Sequence, residues 1–535
     1  MDNTLDPRWQ TAIDHSRYLA NQLQAHPALI PELRATWQQP LSEDLLLHPL
    51  KADFADDDAV KSALRQLRHR AMAHITLRDL CGQAPLAEIM ESMTLLADVT
   101  TNFALDYYHR QLVDTYGEPL DRAGLPQRLL IIGMGKLGGR ELNVSSDVDY
   151  IFVYPEEGDT NGKKSIENYD FFTRLGKRVI GALGDLTADG QVFRVDMRLR
   201  PNGDSGPLVC SLDALENYFI TQGREWERYA WIKSRVMNAG PNADGAALGN
   251  WMTALRRISR PFVFRKYLDF GAINAMRDLH AQIRREVARK DMVDHVKLGP
   301  GGIREIEFIA QVFQLIRGGR DPALQVRPTL SVLKLLVERK LLPAESECEL
   351  REAYIFLRRL EHRLQYVEDK QTHMLPVDAA GRASIARSMN FADWPAMLAV
   401  LNEHRHQVSR HFEAVFSDPE AGEHPLTGLW MNQLDEDTAI EAFGNLGYRR
   451  PKDAIARLAE LRSSSRYLQL PSTNRSRFDA VGPRLIEAAG VTCDPDVTLV
   501  RGLNFLESIA RRGSYLALLQ QYPMALRRVA DMICA

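Results

Sequence analysis

GMGKLGGRELNVSSDVDYIFVY, residues 133–154, follows the apolar run RLLII and opens with G-x-G-x-x-G, the outline of a dinucleotide-binding turn. A dinucleotide fold needs a helix directly after that turn and an acidic residue about twenty positions later, at the end of a second strand. Here RELNVSS follows Gly139, too short for a crossover helix. Next comes a run of period two, in which Asp147, Asp149, Ile151 and Val153 share one face of a strand. The chemistry is therefore assigned to the paired carboxylates. Such a pair suits magnesium, whose octahedral oxygen shell is usually shared between one or two carboxylates, water and substrate phosphate.

QVFRVDMRLRP, residues 191–201, offers a third acid. Alternation puts Phe193, Val195, Met197 and Leu199 on an apolar face and Arg194, Asp196, Arg198 and Arg200 on a polar one. Alone, this reads equally well as a solvent-facing strand whose charges pair. Between the two strands, residues 168–186 carry Phe171, Leu175, Val179 and Leu183 four apart, an amphipathic helix that lets the strands lie side by side. Joined to Asp147 and Asp149, Asp196 becomes the third ligand of a two-magnesium site flanked by the phosphate-binding arginines Arg198 and Arg200. Gly138 and Gly139 leave backbone amides bare for phosphate oxygens. Lys136 reads as a cation for the same phosphate or as a solvated loop lysine, and Ser145 and Ser146 as phosphate contacts or turn caps.

At 535 residues with 45% hydrophobic content, the chain has material for three or four domains. Lysine plus arginine number 67 against 70 acids, so net charge gives no reason to expect nucleic acid or a membrane surface as partner. The five cysteines are far apart and form no disulfide framework or zinc pattern, which fits a reducing cytoplasm. No signal segment opens the chain and no apolar run reaches the ~20 residues that span a bilayer, so a cytoplasmic location is expected.

The expected fold is mainly α with an α/β core, a mixed sheet flanked by helices and followed by a helical bundle. Residues 1–115 form a helical lead-in, exemplified by Val60, Leu64, Leu67 and Ala71 at helical spacing, and 116–325 the catalytic domain. Residues 326–417 form a bundle whose long helix carries Leu350, Tyr354, Leu357, Leu360, Leu364 and Val367 as a core stripe. Residues 418–535 form a linker near SDPEAGEHPLTG and a further helical region. The sequence stops inside an apolar helical pattern, as a piece of a longer chain would. In GPGGIREIEF, Arg304, Glu305 and Glu307 sit in the first turn of a helix with the apolar stripe Ile306, Ile309 or Ala310, and Phe313. Acids there favour the helix dipole and otherwise support a site. Trp226, Tyr229 and Trp231 read as core.

A Gly-Gly turn followed by Asp-x-Asp on a strand, with a later strand aspartate, resembles the polymerase-β-like nucleotidyltransferase superfamily. Within it, the residues 133–154 block, VFRVDMRLRPNGDSGPLV, GREWERYAWIKSRV, RPFVFRKYLDF and KLGPGGIREIEFIAQVFQLIRGGR resemble signature blocks of the bifunctional glutamine synthetase adenylyltransferase/adenylyl-removing enzymes. That family carries two homologous nucleotidyltransferase halves. The single copy here, with GMGKLGGRELN and FVYPEEG, resembles the N-terminal, deadenylylating half, and the tail SYLALLQQYPMALRRVADMICA the start of the region joining the halves. The resemblance implies phosphorolysis of an AMP-tyrosine of glutamine synthetase to ADP and tyrosine. Asp147, Asp149 and Asp196 would hold two magnesium ions, with Arg198 and Arg200 on the incoming phosphate and Gly138, Gly139, Lys136 and Ser146 on the nucleotide side. Arg304, Glu305 and Glu307 would support the site. It also implies ADP or ATP as nucleotide, the PII signal protein and its uridylylated form as partners, and glutamine as effector. The alternatives are ATP-dependent adenylylation of glutamine synthetase, uridylylation of PII, or a non-catalytic module sensing PII or glutamine.

Overall fold

The computed structural model describes residues 5–238, 245–266, 294–416, 424–521 and 523–534. The last four residues of the RPFVFRKYLDF block, Tyr522 and Ala535 of the tail, and residues 417–423 of the expected linker lie outside them. Two compact units draw their described residues from Met1–Leu268 with Asp278–Val415, and from Phe416–Ala535. Among the described residues, no helix is long and apolar enough to cross a membrane.

The first unit is mainly helical. Helix α1, Asp57–Leu80, starts where the Asp56 carboxylate accepts from the Ala59 amide at 2.8 Å, with Asp57 and Asp58 in its first turn. It buries Val60, Leu64, Leu67 and Ala71, as their spacing predicts. Helix α2, Leu86–Tyr116, closes the expected lead-in of residues 1–115 and stops at Gly117, whose φ is +87°. Strands β1, Leu130–Gly133, and β2, Val148–Tyr154, are antiparallel. Helix α3, Asn168–Gly184, buries Phe171, Leu175, Val179 and Leu183 and packs on α2. It returns the chain to β3, Val195–Asp196, which lies parallel to β2. Strand β4, Val209–Ser211, pairs with β2 further along, and β5, Arg235–Val236, closes the other edge against β1. The sheet is mixed, in the order β3-β2-β1-β5, with β4 also on β2.

The third strand is shorter than its alternation predicts. It ends at Asp196 because that side chain accepts from the Arg198 amide at 2.8 Å and turns the backbone, so Arg198 and Arg200 sit in a turn beyond the strand. Helices α4, Ile303–Arg317, and α5, Ala344–Tyr366, complete the framework. One hydrophobic core runs from Leu46 and Val60 through Ile131, Phe152 and Leu175 to Tyr366.

Trp226 corrects the expectation of core: it is 40% exposed, whereas Trp231 is buried edge-on to Phe219 and Tyr229 stacks on Phe308. Trp226 lies on the outward face of its helical turn, and three-residue spacing from Tyr229 did not carry it inside.

The second unit is a helical bundle built around Trp430, Phe478, Leu485, Leu503 and Leu506. Its helices α6, Ser472–Gly490, α7, Pro495–Ile509, and α8, Pro523–Cys534, pack on one another. Here the cysteine expectation is also corrected. Cys493 and Cys534 are joined as a disulfide, their Cα atoms 6.6 Å apart, since the fold returns the last helix to the α6–α7 turn across 41 residues of sequence.

Candidate active site

Strand pairing puts Asp149 directly beside Asp196, with Asp147 one residue ahead of β2. The Val148 amide donates to the Arg194 carbonyl at 2.9 Å, which fixes the register at this point. Asp149 is pushed up to about 6 by burial and by the Asp196 and Asp147 charges, while Lys297 and Arg198 pull the other way. The three sequence-predicted carboxylates thus share one small region of field. Asp196 is held below the usual carboxylate range, first by its bond to Arg198. Asp147 is ion-paired with Arg194. With both flanking acids turned to arginines, no three acidic, imidazole or thiolate side chains among the described residues close into a ready ligand cluster. Their chemistry, hard anionic oxygen, is that of a magnesium shell.

Lys297 is the cation that the sequence reading missed. It belongs to the KLGPGGIREIEF block, and its charge acts on Asp149 from a segment about 150 residues away. Of the two predicted arginines, Arg198 stays at the carboxylates, on Asp196 at 2.5 Å, and its side chain is 72% exposed. Arg200 donates instead to the Met197 carbonyl at 2.9 Å and braces the turn.

The glycines divide their work differently from expectation. A Cβ on Gly138 would lie 1.9 Å from the Lys233 carbonyl oxygen and 2.5 Å from that of Gly133, so this position is glycine for close backbone packing. Gly138→Ala is expected to cost about 1–3 kcal/mol or more, read by urea denaturation, because rigid backbone cannot yield as a side chain does. Gly139 faces Glu141 and Lys233. The glycine turned towards the carboxylates is Gly135, whose φ is +58° and whose added Cβ would meet Asp149 Oδ2 at 3.9 Å.

Lys136 is neither solvated nor turned to the aspartates: it pairs with Glu361 at 3.4 Å and is pushed down to about 8 by burial. It belongs to a buried polar hub that binds the residues 133–147 loop to α4 and α5. Glu141 Oε2 accepts from Lys233 Nζ at 2.6 Å and Glu141 Oε1 from the Thr329 amide at 2.7 Å. Arg358, fully buried, donates to the Glu141 carbonyl, to Asn143 Oδ1 and to the Tyr354 hydroxyl at 2.6–2.7 Å. Burial opposes ionisation of Glu361, yet Lys136, His373 and Arg358 hold its carboxyl well below the usual range. Glu307 enters the same hub: Lys233, Lys136, Lys297 and Arg358 outweigh its burial and keep it ionised. Glu305 is buried, and its carboxylate accepts from the Gly301 amide at 3.1 Å. Arg304 lies over the Phe308 ring, 5.9 Å from its centroid. Ser146 is half-buried beside Asp147, and the Ser145 amide donates to Gln365 Oε1 at 3.1 Å. The helix read as a plain core stripe therefore also buries the polar face that carries Arg358, Glu361 and Gln365.

The strand-borne carboxylates on a Gly-Gly loop invite comparison with known nucleotidyltransferases. Residues 8–249 match the family model described as glutamate-ammonia ligase adenylyltransferase. Relatives from Aromatoleum aromaticum and Chromobacterium violaceum, both named bifunctional glutamine synthetase adenylyltransferase/adenylyl-removing enzyme, are 56% and 50% identical over 97% of this chain. The chain is similar almost throughout to these bifunctional enzymes, and its residues 8–249 carry the glutamate-ammonia ligase adenylyltransferase match. It spans 54% and 57% of the length of those two relatives. A similarly named relative from Nitrosomonas europaea is 48% identical over 97% of this chain and 56% of its own length. Residues 277–416 match a second model, GlnD PII-uridylyltransferase. This similarity accords with the mainly helical fold around a mixed sheet and a nucleotidyltransferase core.

Proposed function

We propose that this chain is an adenylyl-removing nucleotidyltransferase. Inorganic phosphate attacks the AMP phosphorus on a modified tyrosine of glutamine synthetase, the bond from phosphorus to the phenolic oxygen breaks, and ADP and tyrosine leave. The observation that carries the reading is the in-register pairing of Asp149 with Asp196 beside Asp147, where the Asp196 and Asp147 charges add to burial in raising the proton affinity of Asp149. Magnesium held by these three would supply the positive charge that a phosphodiester and a departing phenolate require. Arg198, exposed, and Lys297 bring cations to the same place for phosphoryl oxygens. The buried hub holds the loop, so that Asp147 meets the substrate from a fixed backbone. Glutamine synthetase is the proposed protein substrate, with PII, its uridylylated form and glutamine as proposed effectors and the cytoplasm as location.

The test mixes the chain with adenylylated glutamine synthetase, magnesium and radiolabelled phosphate, with and without uridylylated PII. Labelled ADP, abolished by a chelator, is expected. A second reading keeps the fold and changes the transfer: adenylylation from ATP, or uridylylation of PII. It draws on the residues 277–416 match, a stretch holding none of the three aspartates. Label passing from ATP or UTP into unmodified protein, with no ADP from phosphate, would favour it. Silence in every assay would leave a regulatory module.

A further inference from the structure

At the β5 edge of the sheet, a cavity of about 1170 Å³ opens between β5, α2 and the helix Gly245–Val263. Strand β3, which carries Asp196, is the opposite edge, three strand spacings or about 14 Å away. Asp147, Asp149, Asp196, Arg198 and Lys297 take no part in the lining. Leu248, Trp251, Met252, Leu255, Arg256 and Ser259 recur every three or four residues, so the helix turns one continuous stripe to the cavity. Trp251 is half-buried, and its ring has no aromatic, hydrogen-bonded or cationic partner among the described residues. Arg327 lines the same cavity. Its Nε donates to the Ser234 carbonyl at 2.5 Å, which anchors the side chain beside β5, while Nη1 and Nη2 have no partner among the described residues. Unlike the enclosed Arg235 Nε, both of these terminal nitrogens are accessible. Asp98 is already committed to Arg235, at 2.8 and 3.0 Å, and to Arg140 at 3.1 Å. Burial, and then the Arg235 and Arg256 charges, push Arg327 below its ordinary value. A half-buried guanidinium beside two others, with its bidentate end open, is completed by an anion.

We propose that this cavity binds a nucleoside phosphate, its base on Trp251 and its phosphate on the Arg327 fork with Arg256. Paired N–H donors on a planar guanidinium match phosphate oxygens. An unpartnered indole on an apolar wall suits a flat heterocycle. Ligand pockets commonly measure about 300–1,000 Å³, so the space admits a whole nucleotide, whereas free phosphate would leave the wall of Leu248, Trp251, Met252 and Leu255 uncovered. Arg256 is exposed and has no ion-pair partner among the described residues, which leaves it for the outer phosphates. The binding does not rest on the phosphorolytic reading, because it uses neither the aspartates nor magnesium.

Equilibrium dialysis of radiolabelled ATP against the whole chain, in chelator, tests it. One ATP per chain is expected, and Asp149→Asn should bind it as the wild type does. Arg327→Gln should weaken ATP by about tenfold or more, the value of a lost bond to a charged group. That change removes a cation without a counter-ion, so the fold is expected to survive, which urea denaturation checks. Arg256→Gln, on an exposed side chain, should weaken ATP severalfold. Trp251→Leu should weaken it by about fivefold or more, the value of a stacked base, and leave tripolyphosphate unaffected. Adenosine and tripolyphosphate, each carrying half of the ligand, should both compete far more weakly than ATP. No saturable binding, loss of binding in Asp149→Asn, or binding indifferent to both arginine variants would overturn the proposal. Tripolyphosphate competing as well as ATP would mean a bare anion site, and adenosine doing so an apolar one; either also overturns it. ADP formation without ATP binding in chelator would leave the proposed function standing and remove this site. ATP binding with the expected losses, but no ADP formation, would do the reverse.

Discussion

Asp149→Asn will slow phosphate-dependent ADP formation by about a thousandfold or more, because a lost metal-ligand charge removes several kcal/mol of transition-state stabilisation. The substitution keeps side-chain volume and the β2–β3 pairing, which is a backbone ladder. Its effect on stability has the opposite sign in metal-free protein. Burial and the charges of Asp196 and Asp147 raise the folded-state pKa to about 6, above the ordinary aspartate value. The folded protein thus holds that proton more tightly than the unfolded chain, so ionised Asp149 weakens the fold at neutral pH, by about 1 kcal/mol or more. The asparagine variant should accordingly melt higher than the wild type in chelator. Unchanged ADP formation would sink the assignment of Asp149 to the chemistry. A lower melting point would show that the acid is structural.

Arg358→Met will destabilise the first unit by about 3–5 kcal/mol, the range for breaking a buried ion pair from one side. Methionine reproduces much of the length but no donor. The Glu141 carbonyl, Asn143 Oδ1 and the Tyr354 hydroxyl each lose a bond of 2.6–2.7 Å, and Glu361 loses a cation at 3.1 Å while its carboxylate is fully buried. Arg358→Lys should fall nearly as far, because one ammonium cannot span acceptors arranged for a planar fork. Asn143 stands four residues before Asp147. Where enough protein folds, the apparent magnesium requirement should therefore rise as the loop loosens. Urea denaturation followed at two wavelengths measures the first effect and a magnesium titration of activity the second. A loss under about 1 kcal/mol would mean that the hub is dispensable.

Much of the site was legible because it is written in local period. Phe171, Leu175, Val179 and Leu183 mark one face of α3, and a single helix between two strands brings Asp149 beside Asp196. Period misled at QVFRVDMRLRP, where alternating charge describes a strand and a tight turn alike; only the bond from the Arg198 amide to Asp196 ends β3 there. The Gly-Gly pair misled for a related reason. Glycine announces close approach without saying to what, and at Gly138 the neighbour is the Lys233 carbonyl.

Sequence by itself determined the helical lead-in, the strands of the core, the three carboxylates and, through long motif blocks, the family, since each depends on residues near one another in the chain or on their identity. Tertiary structure alone decided which charges meet. Lys136 finds Glu361 across 225 residues, Arg358 finds Asn143 across 215, and Lys297 reaches Asp149 from another segment. A hydrophobic pattern records which face turns inward. A buried charge is tolerable only with its particular partner, and that partner is chosen by how distant helices pack.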